Sequence, residues 1–180
     1  MDALAPFNPK AKVVWVMVDR KGAGVLRKFA SPAFFSFHAV NAWEEPSRND
    51  CRQTVDVVYE LVTFKNLDIL LRFDYDNLVS DGQGVKSFLQ ERREGTASTL
   101  QQYKFADVPI HVKSKSFSSG LSKAELIMTV DAHKSGDLPR INPKFAQRPH
   151  RYVWTMLDRG KSSFVDAIGK TDTKDGPCIV

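Results

Sequence analysis

Residues 34–43 read FFSFHAVNAW, and the fold prediction starts from this stretch. Successive side chains of a β-strand point to opposite faces, yet both faces of this segment are mainly apolar. We therefore predict a strand without a solvent-facing side, lying inside a stack of β-sheets. His38 falls in the middle of this apolar segment, where both of its ring nitrogens would still need partners.

The neighbouring segments continue the β pattern. Lys12–Asp19 is β-branched and apolar on both faces, which predicts a buried strand, and residues 25–29 follow a glycine-containing turn as the returning strand of a hairpin. In residues 54–62 the apolar side chains alternate and share one face, opposite Asp56 and Glu60. This alternation predicts a strand with one apolar face and one polar face.

The remaining segments add strands and a small helical part. Further strands are predicted at residues 99–105, 124–131, 151–158 and 163–170, the last two joined by a hairpin turn. Helices are predicted at residues 66–71, with Asn66 as the cap, and near residues 85–94. About eight short strands with one helical insertion are typical of an all-β stacked-sheet or propeller architecture.

Composition narrows the class of protein. The 180 residues are 42% apolar and carry a net charge of +5, but the basic residues are scattered. Together with the lack of a recognised motif, this predicts no nucleic-acid partner. Cys51 and Cys178 are far apart and outside any C-x-x-C pair, which excludes a disulfide framework or a zinc ribbon and fits a reducing compartment.

The sequence predicts neither a signal peptide nor a membrane span. The first ten residues have no basic region followed by an apolar one, and the longest apolar run is residues 13–18. A transmembrane helix needs about 20 apolar residues. We therefore predict a cytoplasmic location.

The four histidines divide into two groups. His111, His133 and His150 have no partner at metal-ligand spacing and are predicted to be surface or edge residues. His38 has two open interpretations. It is either a core histidine hydrogen-bonded to backbone or to a carboxylate, or a metal ligand.

The stretch around His38 resembles a motif of a known family. Residues 34–45 (FFSFHAVNAWEE) resemble the F-x-F-H-x-x-N-A-W-E stretch of the carotenoid cleavage oxygenases. The resemblance continues in the same order through residues 16–20 (VMVDR), 54–61 (TVDVVYEL), 74–78 (DYDNL), 136–145 (GDLPRINPKF) and 151–154 (RYVW). It spans about residues 12–172 and is nearest to the fungal members that cleave torulene and apocarotenoids.

The resemblance implies a fold and an iron site. Members of the family are seven-bladed β-propellers in which four histidines hold one Fe(II). Residues 1–180 would then form a single partial propeller domain of roughly three to four blades with a helical insertion. His38 would be one ligand, and Asp137 would accept a hydrogen bond from the other nitrogen of its ring. Asp137 also has an alternative interpretation as an ordinary turn residue.

Three of the family's ligand motifs have no counterpart in this chain. The resemblance implies that two would precede residue 1 and one would follow residue 180, and His111, His133 and His150 do not match them. We therefore expect an internal fragment or a degenerate paralogue, with residues 173–180 as an atypical tail. Such a chain is expected to show little or no activity alone.

The implied reaction is oxidative cleavage of a C=C bond. The substrate would be a carotenoid or apocarotenoid, the co-substrate O2 and the products two carbonyl compounds. A lipophilic substrate is compatible with peripheral membrane contact. The alternative is a non-catalytic β-rich binding or assembly module, which the three missing ligands and open sheet edges would support.

Overall fold

The computed structural model describes residues 4–22, 24–47, 53–79, 91, 93–110, 120–161, 165–174 and 176–179. Within these residues eleven strands form three sheets. The strands are β1 (Lys12–Asp19), β2 (Gly24–Pro32), β3 (Ala39–Pro46), β4 (Thr54–Phe64), β5 (Ser98–Pro109), β6 (Leu121–Lys123), β7 (Glu125–Val130), β8 (Asp137–Arg140), β9 (Tyr152–Leu157), β10 (Ala167–Asp172) and β11 (Gly176–Ile179). The described α-helices are α1 (Asp68–Leu71), α2 (Tyr75–Val79) and α3 (Arg93–Thr96), and 3₁₀ turns lie at Ala132–Lys134 and Pro143–Phe145.

The strands are grouped into a first, a middle and a third sheet. Their orders are β1-β2-β6, β3-β4-β5-β7 and β11-β10-β9-β8. Within the described strands, all pairs are antiparallel except the parallel pair of β2 and β6. The mainly β class and the helical insertion between β4 and β5 are confirmed. Each sheet is open in the described residues, so the propeller stays an expectation.

The middle sheet is packed on both faces. On one face Leu61 joins a core cluster with Trp15 and Phe29 of the first sheet. On the other face Val62 joins a cluster with Val153 of the third sheet. Because adjacent residues of a strand point to opposite sides, the three sheets lie in three layers.

The predicted strand at residues 34–43 is wrong at its start. The strand begins at Ala39, and before it only Phe35 forms an isolated bridge, to Phe64. His38 therefore lies outside the strand, and its side chain is 41% exposed rather than buried. The prediction failed because the phenylalanines before Ala39 do not fill the two faces of a central strand. They form an aromatic patch at the end of the sheet.

The predicted burial of β1 on both faces is also wrong. Its burial alternates, and Val14, Val16 and Val18 are exposed. The reason is that β1 lies in an outer layer: Trp15 and Met17 pack on the core shared with the middle sheet, and the opposite face points outward. Its hairpin with β2 is confirmed by the antiparallel register from Lys12↔Pro32 to Asp19↔Gly24.

The short helix after β4 is confirmed at Asp68–Leu71. The prediction of Asn66 as the cap is wrong, because Leu67 occupies the cap position. Oδ1 of Asn66 instead accepts a hydrogen bond from the backbone N–H of Asp68 at 2.8 Å, which forms a turn before the helix. The second predicted helix falls mostly outside the described residues, and α3 overlaps its end. None of the helices in the described ranges is long and apolar enough to span a membrane.

Candidate functional site

The two residues predicted to form the site are in contact. His38 directly precedes β3, Asp137 begins β8, and Nδ1 of His38 lies 2.9 Å from Oδ1 of Asp137. Their side chains are 41% and 23% exposed. A carboxylate only accepts hydrogen bonds, so this contact favours a proton on Nδ1 and a lone pair on Nε2. An accessible imidazole with its lone pair on Nε2 is the form that binds a metal ion.

The backbone around His38 is tied to β4. The carbonyl of His38 accepts a hydrogen bond from the N–H of Val62 at 3.0 Å. Phe35 and Phe64 exchange both of their backbone hydrogen bonds, at 2.9 and 2.7 Å. The imidazole is therefore carried by a restrained segment, which is what an oriented ligand requires.

Asp137 is placed by a close and irregular approach of β8 to β9. A Cβ at Gly136 would overlap the backbone carbonyl of Met156, so the approach depends on glycine at this position. Leu138 has a left-handed φ of 53°, and the register shifts between Asp137 and Arg140. Irregular pairing of this kind re-aims side chains at strand ends. Here it brings a carboxylate to His38.

An aromatic patch adjoins the imidazole. We define this patch as Phe35, Phe37, Phe64 and Phe73. The ring of Phe37 lies 4.7 Å from that of Phe35, 5.7 Å from that of Phe64 and 6.1 Å from that of Phe73, measured between centroids. The same ring lies 6.0 Å from the imidazole of His38. Phe37 and Phe73 are exposed, so apolar surface is available beside His38.

The donors near His38 fit one ligand position of a metal ion. In the part of the chain that the structure describes, no group of three or more His, Cys, Asp or Glu side chains could hold a metal. His111 lies outside the described residues, and for His133 only the backbone, in the turn Ala132–Lys134, is described. His38 thus offers one oriented nitrogen, and a complete site needs further donors.

The prediction that His150 is a surface or edge residue is wrong. Its side chain is 2% exposed, and its Nε2 lies 2.8 Å from Oε2 of Glu60, whose side chain is 0% exposed. Neighbouring Arg148 and Arg151 indicated exposure, but the ring turns inward to within 5.7 Å of the ring of Trp43. The available signal was Glu60 itself, a carboxylate between apolar residues of a strand.

The polar face of β4 is covered rather than solvated. Nζ of Lys104 lies 2.9 Å from Oδ2 of Asp56 and 3.2 Å from Oε2 of Glu45. Burial alone would lower the pKa of Lys104, but the hydrogen bonds and the negative charges of Asp56 and Glu45 outweigh burial and raise it. Lys104 and Asp56 are nearly buried, Glu45 is 36% exposed, and the single positive charge is shared between the two carboxylates.

Comparisons with known proteins agree on one family. Residues 1–178 match the family described as retinal pigment epithelial membrane protein. The chain is 33% identical over 176 residues to the torulene dioxygenase of Fusarium fujikuroi, which covers 96% of this chain and 30% of that protein. It is 29% identical over 181 residues to the carotenoid dioxygenase of Neurospora crassa, covering 96% and 29%. The chain therefore spans about 30% of the length of these relatives.

The solved structures show the same fold. The cobalt-substituted apocarotenoid oxygenase of Synechocystis superposes with a TM-score of 0.59 at 18% identity, covering 97% of this chain and 30% of that one. At this level of identity the likeness shows the fold alone.

Proposed function

The chain belongs to the carotenoid oxygenase family of the retinal pigment epithelial membrane protein, and we propose from this premise that it carries part of an iron-dependent dioxygenase centre. The proposed reaction is the oxidative cleavage of a C=C bond of a carotenoid or apocarotenoid by O2, giving two carbonyl products. The names of the two fungal relatives support this substrate class. The single observation that carries the site is the contact of His38 with Asp137 at 2.9 Å.

In this proposal His38 is a ligand and Asp137 orients it. Bound Fe(II) would supply a centre able to activate dioxygen. Asp137 holds the proton on Nδ1 and fixes the plane of the imidazole, so the lone pair on Nε2 faces one direction. From the start of β8 the carboxylate of Asp137 reaches Nδ1 of His38 at 2.9 Å.

The aromatic patch is the proposed contact for the polyene. Phe37 and Phe73 present ring surface next to the candidate ligand, and neither ring carries a group that competes for a metal. A conjugated chain gains binding energy by leaving water for such a surface.

We further propose that the three layered sheets are blades of a larger propeller. The superposition with a solved family member supports this architecture. Three of the four iron ligands would then lie outside the described residues, and this chain alone would cleave no polyene.

Anaerobic Fe(II) dialysis of the purified chain and of His38→Ala, followed by an oxygenation assay with an apocarotenoid, tests the proposal. We expect weak iron retention by the wild-type chain, its loss in His38→Ala, and no cleavage by either protein. Equal iron retention by the two proteins would contradict the ligand assignment. Cleavage by the wild-type chain would contradict the incomplete-centre part.

A second candidate function is a non-catalytic assembly module. It is favoured by the exposed apolar residues of the outer sheets, namely Val14, Val16 and Val18 on β1 and Ile168 on β10. Native mass spectrometry distinguishes the two functions. A stable oligomer that also fails to bind iron would support assembly alone, whereas a monomer would argue against it.

A further inference from the structure

A row of polar side chains that the proposed iron site does not use crosses the middle sheet. Asn41 in β3 lies opposite Glu60 in β4, and Glu60 lies opposite Gln102 in β5. Nε2 of Gln102 donates to Oε1 of Glu60 at 3.0 Å. Glu60 and Val62 are two residues apart on β4, so their side chains lie on the same face of the sheet. This face packs on the third sheet.

Asn41 holds the loop between β8 and β9, which we define as residues 141–151. Its Nδ2 donates to the backbone carbonyls of Phe145 at 3.1 Å and Arg148 at 2.9 Å. Its Oδ1 accepts from the N–H of Gln147 at 3.0 Å, and Gln147 has a left-handed φ of 61°. One amide therefore satisfies three backbone groups of a loop that is bent at an unfavourable dihedral angle.

His150 fastens the end of the same loop to the row. Its Nδ1 lies 3.2 Å from Nδ2 of Asn41, and its Nε2 lies 2.8 Å from Oε2 of Glu60. A carboxylate only accepts hydrogen bonds, so the contact with Glu60 favours a proton on Nε2 of His150. Both atoms of the Glu60–His150 contact are buried and lack a well-aligned hydrogen bond. The side chain of His150 is 2% exposed, with Nε2 against Glu60 and Nδ1 against Asn41, so neither ring nitrogen is placed to bind a metal ion.

We propose that Asn41, Glu60 and His150 form a clasp that positions Asp137 against His38. His38 and Asn41 are three residues apart, which is about 10 Å along an extended chain. Asp137 begins β8, and the clasped loop leaves the end of that strand. The same two segments therefore meet twice, once at a buried contact and once at an exposed one.

In this proposal the clasp acts together with the close approach of β8 to β9 at Gly136. A partly exposed histidine–carboxylate pair holds little orientation by itself. The clasp combines the buried Glu60–His150 contact with three hydrogen bonds between Asn41 and the loop, so it has few alternative arrangements. Asn41, Glu60 and His150 are thus positioning residues. Their importance for cleavage rests on the proposed function, but their effect on His38 does not.

Nitrogen-15 NMR of the histidine rings tests the proposal without iron or substrate. The wild-type chain at about pH 8.5, where an ordinary histidine is neutral, should show His38 as the Nδ1–H tautomer. Asn41→Asp keeps the volume and the acceptor for Gln147 but removes both donations to the loop. We expect Asn41→Asp, like Asp137→Asn, to convert His38 to a mixture of tautomers.

The matched control is Asn142→Asp. Asn142 is exposed in the same loop, and Oδ1 of its side chain accepts a hydrogen bond from the N–H of Lys144, which aspartate can also accept. This variant should leave His38 as in the wild-type chain. His150→Leu is a second variant that opens the clasp, and it should act like Asn41→Asp.

Several outcomes would overturn the clasp. One is an unchanged His38 tautomer in folded Asn41→Asp and His150→Leu chains, with Asp137→Asn still changing it. Another is loss of the folded far-ultraviolet signal in both clasp variants, which would make these residues determinants of the whole fold. A negative result would leave the iron proposal standing, because Asp137 would then orient His38 unaided.

Discussion

Two histidine–carboxylate contacts join the middle sheet to the segment of β8 and β9, and they have opposite characters. In the first, His38 faces Asp137 at 2.9 Å with both side chains partly exposed. In the second, His150 faces Glu60 at 2.8 Å with both side chains buried. His38 contacts its carboxylate through Nδ1, which leaves Nε2 for the proposed metal ion, whereas His150 contacts its carboxylate through Nε2. Distance alone therefore does not separate the proposed metal ligand from the buried histidine, whereas the exposure of the side chains does.

The largest effect is expected at the buried pair. Glu60→Ala would leave His150 and Gln102 without their partner inside the protein, and we expect unfolding to become easier by about 3 kcal/mol. Urea unfolding followed by circular dichroism measures this difference. Glu44→Ala is the matched control, because Glu44 is an exposed glutamate on β3 and should change stability by less than about 0.5 kcal/mol. Equal effects of the two substitutions would remove the contrast between the contacts.

The next largest loss of stability is expected at Gly136, one of two glycines that lie against β9. Gly136→Ala would press a methyl group onto the Met156 carbonyl, which cannot move without shifting a strand, and should cost about 2 kcal/mol. Gly169→Ala meets only the side chains of Leu157 and Thr155 and should cost less. Thermal unfolding of both variants measures the difference. A larger loss of thermal stability in Gly169→Ala than in Gly136→Ala would contradict this explanation.

A smaller stability effect is expected at the exposed pair. Asp137→Ala should change the free energy of unfolding by less than about 1 kcal/mol, because solvent screens an exposed pair. Metal affinity should nevertheless fall about 10-fold to 100-fold, since the orienting hydrogen bond is lost. Urea unfolding and cobalt titration on the same samples test both halves. A large loss of stability with unchanged affinity would reverse the assigned roles.

The smallest effect concerns alkaline pH and arises away from both pairs. Burial raises the pKa of Tyr59, and burial also raises that of Tyr103 although a hydrogen bond with Ser31 opposes it. The folded chain thus holds these protons more tightly than the unfolded chain. The stabilisation is complete below the unfolded pKa of about 10 and is lost as pH rises through the folded pKa.

Urea midpoints at about pH 9 and about pH 11 measure this loss. Tyr59→Phe should show a weaker loss than the wild-type chain. Asp137→Ala should keep the loss of the wild-type chain, and a reduced loss in that variant would connect the exposed pair to the tyrosines.

The two pairs were not equally predictable from the sequence. The motif around His38 and the segment around Asp137 led to both residues, and the structure brings them together. The exposure of a residue within an apolar stretch is harder to predict, because it depends on whether the residue lies inside the strand or before its first residue. His38 lies one residue before β3, which alternation could not indicate.

The buried pair was missed for a different reason. His150 stands among Arg148, Pro149 and Arg151, and local composition predicts solvent there. Only the long-range contacts of Asn41 with the loop turn the ring inward, and no periodic pattern contains that information. Most strands were predictable because their alternation is local, whereas the exposed face of β1 depends on its lying in an outer layer.

Paramagnetic broadening by Co(II) tests the central contrast most directly. The ring signals of the wild-type chain would be recorded during a cobalt titration and assigned with His38→Ala and His150→Leu. We predict that the His38 signals broaden first, that the His150 signals stay sharp, and that Asp137→Ala weakens the effect on His38. Sharp His38 signals throughout the titration, or broadening of His150 at the same cobalt concentration, would contradict the assignment of one pair to metal binding and the other to structure.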